Sequence, residues 1–146
     1  MLFRSARVYG FRRDLTEPLR DGNLTYKPFS EIGFIDDLRT ARGVVGGGGY
    51  TLMSEAVYLH KPMLSVPVGG QFEQVLNALY LQKLNYGMYA QTLDGEVLGQ
   101  FIERLDSCHQ SLQGYQQDGN TALLNKLDEL LKEAAVNGRW DETTVA

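Results

Sequence analysis

Short apolar runs alternate along the chain with longer stretches whose apolar residues recur every three or four positions, and this alternation predicts strands followed by helices. Arg7 to Phe11 reads as a short buried strand, with Gly10 turning the chain into a basic loop at Arg12 and Arg13. Leu24 to Tyr26 is a second strand, ended by Pro28, which cannot donate to a sheet ladder. Ser30 then caps a helix with Phe34, Ile35, Leu38 and Ala41 at helical spacing, and Val44 and Val45 form a third strand. Tyr50 to Leu59 is a helix with Leu52, Ala56 and Leu59 on one face, stopping before Pro62. Met63 to Val66 is a continuous apolar strand, read as buried on both faces.

The same pattern continues to the C-terminus. Phe72, Val75, Leu76, Leu79 and Leu84 define an amphipathic helix expected to close near Gly87, and Met88 to Ala90 is a fifth strand. Asp94 caps a helix carrying Val97, Leu98, Phe101, Ile102 and Leu105, and Gln110 to Gly119 reads as a loop. A last helix carries Leu123, Leu124, Leu127, Leu130, Leu131 and Ala134 on one stripe, read as either core or a docking face. The expectation is an α/β fold: one Rossmann-like domain over 1–138, a parallel sheet of about five or six strands with helices on both faces, and a disordered tail over 139–146.

In such sheets ligands bind beyond the carboxyl ends of the strands, and two loops are delivered to that edge. One is the glycine run Gly46 to Gly49, between the Val44–Val45 strand and the next helix. The other is Pro67 to Gln71. Glycine lets backbone approach a ligand closely and take positive φ, and a helix N-terminus presents free N–H groups, so Gly47, Gly48 and Gly49 form a candidate phosphate cradle. A flexible loop or tight helix–strand packing is the alternative. No Lys-Ser or Lys-Thr follows, so this is not a Walker loop.

Charge narrows the ligand. The net charge of −4 and pI near 5.1 argue against nucleic acid. Residues 1–45 nevertheless carry eight basic and six acidic side chains, against six and twelve in 46–146, which suits one small anionic ligand, with Arg12 as a basic group on the phosphate side. No apolar run approaches the roughly 20 residues that cross a bilayer, and the N-terminal stretch lacks a signal-peptide core. A single cysteine, Cys108, fits a reducing, cytoplasmic setting and a structural role.

Around the cradle, Thr51 and Ser54 can reach a phosphate or cap the helix. Glu55 lies about 1.5 turns into the helix, placed to accept two ribose hydroxyls or to face solvent. Glu73, Gln74 and Asn77 open the next helix from the crevice side, where carboxylate and amide groups read hydroxyl patterns; capping by Gln71 and Glu73 is the alternative. His60 reads as a helix C-cap, and His109 is assigned no function. No catalytic base, nucleophile triad or metal-ligand cluster is evident, so no metal and no cofactor is called for.

The series Tyr26-Lys27-Pro28, Gly48-Gly49-Tyr50-Thr51, Glu55-Ala56, Lys61-Pro62-Met63-Leu64, Pro67 and Glu73-Gln74-x-x-Asn77-Ala78 resembles the C-terminal, donor-binding domain of GT-B-fold glycosyltransferases, over about residues 5–91. The pattern is similar to the N-acetylglucosaminyltransferase of peptidoglycan synthesis and to the UDP-glucuronosyltransferases. The resemblance implies half of a GT-B fold and a UDP-sugar as donor substrate. It implies Gly48, Gly49 and Thr51 at the diphosphate, Glu55 at the ribose, and Glu73, Gln74 and Asn77 at the sugar hydroxyls or the loop holding them. Tyr26 to Phe29 occupies the base-contacting place, with Tyr26 and Phe29 where Trp and Gln are frequent, and Gly47 stands where many members have His.

The resemblance also accounts for the missing base, since acceptor and base belong to an N-terminal domain in such enzymes. That domain is expected in cis or as a separate subunit, with peripheral membrane association possible through it; the abrupt start at a strand favours a domain fragment. The isolated chain is expected to be inactive. Two other readings stand beside this one: a UDP-N-acetylglucosamine 2-epimerase-like domain, and a non-catalytic subunit that docks a partner.

Overall fold

The computed structural model describes residues 5–12 and 14–136. One compact unit ends at Tyr115 and a second begins at Gln116. The first contains β1 (Ala6–Tyr9), β2 (Leu19–Asp21), β3 (Leu24–Lys27), α1 (Glu31–Thr40), β4 (Val44–Gly46), α2 (Tyr50–Tyr58), β5 (Met63–Ser65), α3 (Phe72–Lys83), β6 (Gly87–Tyr89) and α4 (Gly95–Leu112); the second contains α5 (Thr121–Val136). The fold is α/β, a Rossmann-like half with helices on a parallel sheet. The expected tail over 139–146 lies outside the described residues.

The six strands described form two three-stranded sheets in place of the single parallel sheet of five or six expected, and only the second is wholly parallel. In the first, β1 runs parallel to β3, and β2 adds antiparallel through a tight turn at Gly22, where φ is +55°. In the second, β4, β5 and β6 are all parallel, with Gly46, Ser65 and Tyr89 in register at the carboxyl edge. β5 is completely buried because its alternating side chains serve two cores. Met63 packs with Met53 and Ala56 of α2 and Leu81 of α3 on one face, and Leu64 packs with Met88, Phe101 and Leu105 on the other. Burying each of these two side chains contributes about 1.5–3 kcal/mol.

The caps follow the sequence. Ser30 Oγ accepts the Gly33 N–H at 3.3 Å and Asp94 accepts the Val97 N–H at 2.8 Å. At the end of α2, His60 takes φ +54°, its N–H bonds the Val57 carbonyl and the Lys61 N–H bonds the Ala56 carbonyl, a Schellman ending. α3 ends the same way on Asn85, with φ +55°.

Three local expectations differ from the structure. Gly87 does not close α3, because Asn85 does. It belongs to β6, where a Cβ would lie 2.0 Å from the Met63 carbonyl oxygen, so glycine is required for the strands to approach. α3 buries Ala78 and Leu81, with Gln74 and Asn77 half-buried, while Phe72, Leu76, Leu79 and Leu84 are exposed. The small Ala78 permits close packing, and the two amides bond the loops beside it. α4 runs on to Leu112, since Cys108 and Leu112 extend the buried stripe of Phe101 and Leu105.

The first sheet is tied to α1 by one carboxylate. Asp37 receives the Tyr9 hydroxyl at 2.5 Å, Lys27 Nζ at 2.6 Å and Arg7 Nε at 3.2 Å. Burial pushes the Asp37 carboxyl up, but the bonds from Lys27 and Tyr9 and the charges of Arg7 and Lys27 outweigh it and leave it below its ordinary value. Burial, then the bond to Asp37, pushes Tyr9 up to about 12. In the second unit the leucines at 123, 124, 127, 130 and 131 of α5 are exposed. Among the described residues no helix is long and apolar enough to cross a membrane.

Candidate functional site

At the carboxyl edge of the second sheet, β4 ends in the glycine loop and β5 in the segment from Val66 to Gln71. Gly49 is the N-cap residue of α2 and supplies no side-chain cap. None of the N–H groups from Gly47 to Leu52 has a hydrogen-bond acceptor among the described residues. Six donors therefore stand free at the positive end of a helix, an arrangement that binds an anion without a cation.

The loop is held from behind. Gly48 is buried with φ +86°, and a Cβ there would lie 2.5 Å from Ser65 Oγ and 3.0 Å from the Gln74 carbonyl oxygen. Asn77 Nδ2 donates to the Gly48 carbonyl at 3.2 Å. Because a trans peptide points its carbonyl and N–H in opposite directions, that bond turns the Gly49 N–H away from α3. Gln74 Oε1 accepts the Val68 N–H at 3.1 Å and lies 3.3 Å from where a Gly47 Cβ would stand, so one side chain of α3 bonds one loop and leaves little room for a side chain on the other. A Cβ on Gly49 would meet nothing within 4 Å, so that glycine borders open space.

The remaining expected residues are placed as follows. Thr51 is exposed in the first turn of α2, where its carbonyl accepts the Ser54 hydroxyl at 2.9 Å. Glu55 is half-buried on α2, and its carboxylate has no partner among the described residues. Glu73 is exposed in the first turn of α3. A separate pocket of about 320 Å³ brings Arg12 and Phe29 together with Gly10 and Leu15, while Tyr26 packs against Phe11 at 6.0 Å between ring centroids. Arg12 is not free in that pocket: Nε and Nη2 bind Asp14 at 3.0 and 2.8 Å, which holds the Asp14 carboxyl down at about 2.

Two further positions matter to the geometry. His60, at its helix end, also sets its ring against Tyr115 at 6.2 Å. His109 lines a pocket of about 310 Å³ with Arg42, Lys61 and Asp106, near the amino ends of β4 and β5. Sequence reasoning missed Ser65, which ends β5 under Gly48 with no exposed surface. Its signal was a lone polar residue inside an otherwise apolar strand.

The sequence matches the family described as Glycosyl transferase family 1 over residues 3–106. No curated protein matches. Among solved structures that match, one described as the glycotransferase of kitacinnamycin is 19% identical, with a TM-score of 0.48, over 62% of this chain and 26% of that one. This chain thus spans little more than a quarter of that protein's length.

Proposed function

The chain belongs to glycosyl transferase family 1, and from that membership we propose that it is the donor-binding part of a glycosyltransferase, holding a nucleotide diphosphate-sugar, with UDP as the nucleotide. What supports the reading is the row of unbonded N–H groups from Gly47 to Leu52, braced from behind by Asn77. Diphosphate oxygens accept from those donors. The charge that builds on the leaving UDP is stabilised by dipoles already in place, so little reorganisation opposes transfer.

Glu55, unpaired and on the same helix, accepts the two ribose hydroxyls. Phe29 and Tyr26 border the base, with Arg12 on the phosphate side once its pairing with Asp14 opens. Glu73, Gln74 and Asn77 face the sugar. An acceptor-binding domain, in cis or as a partner subunit, completes the site and supplies the base, so the chain alone binds donor without turnover. No metal is needed to bind the diphosphate in this scheme.

Calorimetric titration tests the proposal. UDP is expected to bind, and Glu55→Ala to weaken it about tenfold, the worth of one good hydrogen-bonded carboxylate. The 2′-deoxy nucleotide should lose affinity for the wild type but not for the variant. A folded chain that does not bind UDP refutes the reading.

A further inference from the structure

Ser65 is fully buried, and among the described residues its Oγ is the buried side-chain oxygen without a hydrogen-bond partner. It is aimed at the glycine loop, 2.5 Å from where a Gly48 Cβ would stand. A buried hydroxyl left unpaired is costly, and native proteins pair the large majority of such groups. Its surroundings leave few partners. The Ser65 carbonyl already binds the Ala90 N–H, and the Gly48 carbonyl already receives Asn77. The Gly47 carbonyl has no bonded donor among the described residues.

We infer that Ser65 is a positioning residue for the anion site: when a diphosphate docks, the peptide joining Gly47 to Gly48 turns its carbonyl inward onto Ser65 Oγ and its N–H outward onto a phosphate oxygen. The inference rests on the donor-site reading above. Three properties make this turn accessible. Flanking glycines let a single peptide rotate without a Cβ clash. The opposed directions of C=O and N–H in a trans peptide make one inward bond deliver one outward donor. The free state carries the unsatisfied hydroxyl, so the ligand-bound arrangement is favoured by the bond it gains. Ser65 never touches the ligand; it acts through Gly48.

Ser65→Ala removes one atom and separates this role from simple packing. The variant is expected to melt about 2–4 °C higher than the wild type, because the unpaired hydroxyl is gone. It is also expected to bind UDP about 5–10-fold more weakly, while its affinity for uridine, which lacks the diphosphate, stays the same. UDP affinity that falls no more than uridine affinity overturns the inference. A lowered melting temperature overturns it too, since the hydroxyl would then already be paired in the free chain. If the wild type binds uridine and UDP alike, or neither, the donor-site reading fails and this inference fails with it.

Discussion

Replacing Gly48 by alanine adds one methyl group at the tightest point of the glycine loop, and the cost can be worked from the surroundings. The residue must hold φ +86°, which costs a side-chain-bearing residue about 1–2 kcal/mol. Its Cβ meets Ser65 Oγ at 2.5 Å and the Gln74 carbonyl oxygen at 3.0 Å. The second neighbour is backbone of a packed helix and yields little, so crowding adds about 1–3 kcal/mol. Together these predict a loss of about 2–5 kcal/mol, or a melting temperature about 5–15 °C lower for a chain of this size.

Two companions make the prediction specific. Gly49→Ala puts a methyl into open space at φ −61°, so its stability should stay within about 0.5 kcal/mol of wild type. The double variant Gly48→Ala/Ser65→Ala removes the 2.5 Å contact but keeps the other and the backbone strain. It should recover about 1 kcal/mol beyond additivity. Urea unfolding followed by circular dichroism measures these three variants beside Ser65→Ala and the wild type. The reasoning is refuted if Gly48→Ala unfolds with the wild type, or if Gly49→Ala is the more damaging of the two.

The Asp37 cluster predicts a pH dependence. The folded carboxyl lies below its unfolded value near 4, so its contribution is whole above about pH 4 and is lost as pH falls through the folded value. Tyr9, raised to about 12, contributes below about pH 10 and loses that contribution between pH 10 and 12. Asp37→Ala should cost about 1–3 kcal/mol at pH 7 in urea titrations, and flatten the acid limb of the stability profile. Salt tests the charge accounting: Arg7, Arg12, Lys27, Arg39 and Arg42 each lie within 3.7 Å of a carboxylate oxygen, so, with Arg12 joining only once Asp14 releases it, neutral N–H groups carry most of the binding of UDP. Raising NaCl to roughly 0.5 M should then weaken UDP by less than about threefold by calorimetry, and a much steeper loss would point to free cations at the site.

Local chemistry made most of the elements legible. Ser30 and Asp94 cap as their types demand, and the doubly buried strand expected over Met63 to Val66 is there as Met63–Ser65, with Val66 half-buried just beyond it. β2 was hidden because Leu19 to Asp21 is exposed throughout and carries no apolar alternation; its signal was Asp21-Gly22. The face of α3 was misread because Phe72, Leu76 and Leu79 outweigh Ala78 in any count of apolar residues, yet the small residue decides where a helix can approach a sheet. The glycine run was visible, but the need for glycine at 48 depends on Ser65 and Gln74, both remote in sequence.

The two amides of α3 join the fold to the proposed sugar contact, because each has one half committed and one half free. A backbone carbonyl can only accept, so it is the Asn77 Nδ2 that faces Gly48, leaving Oδ1 as an acceptor. A backbone N–H can only donate, so it is the Gln74 Oε1 that faces Val68, leaving Nε2 as a donor. Bracing the loops and reading a hydroxyl are therefore not competing duties: the first fixes the amide orientation on which the second depends. The same logic explains why the loop can be nearly all glycine. A free three-glycine segment would lose much entropy on ordering its donors. Contacts from β5 and α3 impose most of that order from outside, so apart from the Gly48 N–H, which turns on docking, the ligand meets N–H groups that are already directed toward it.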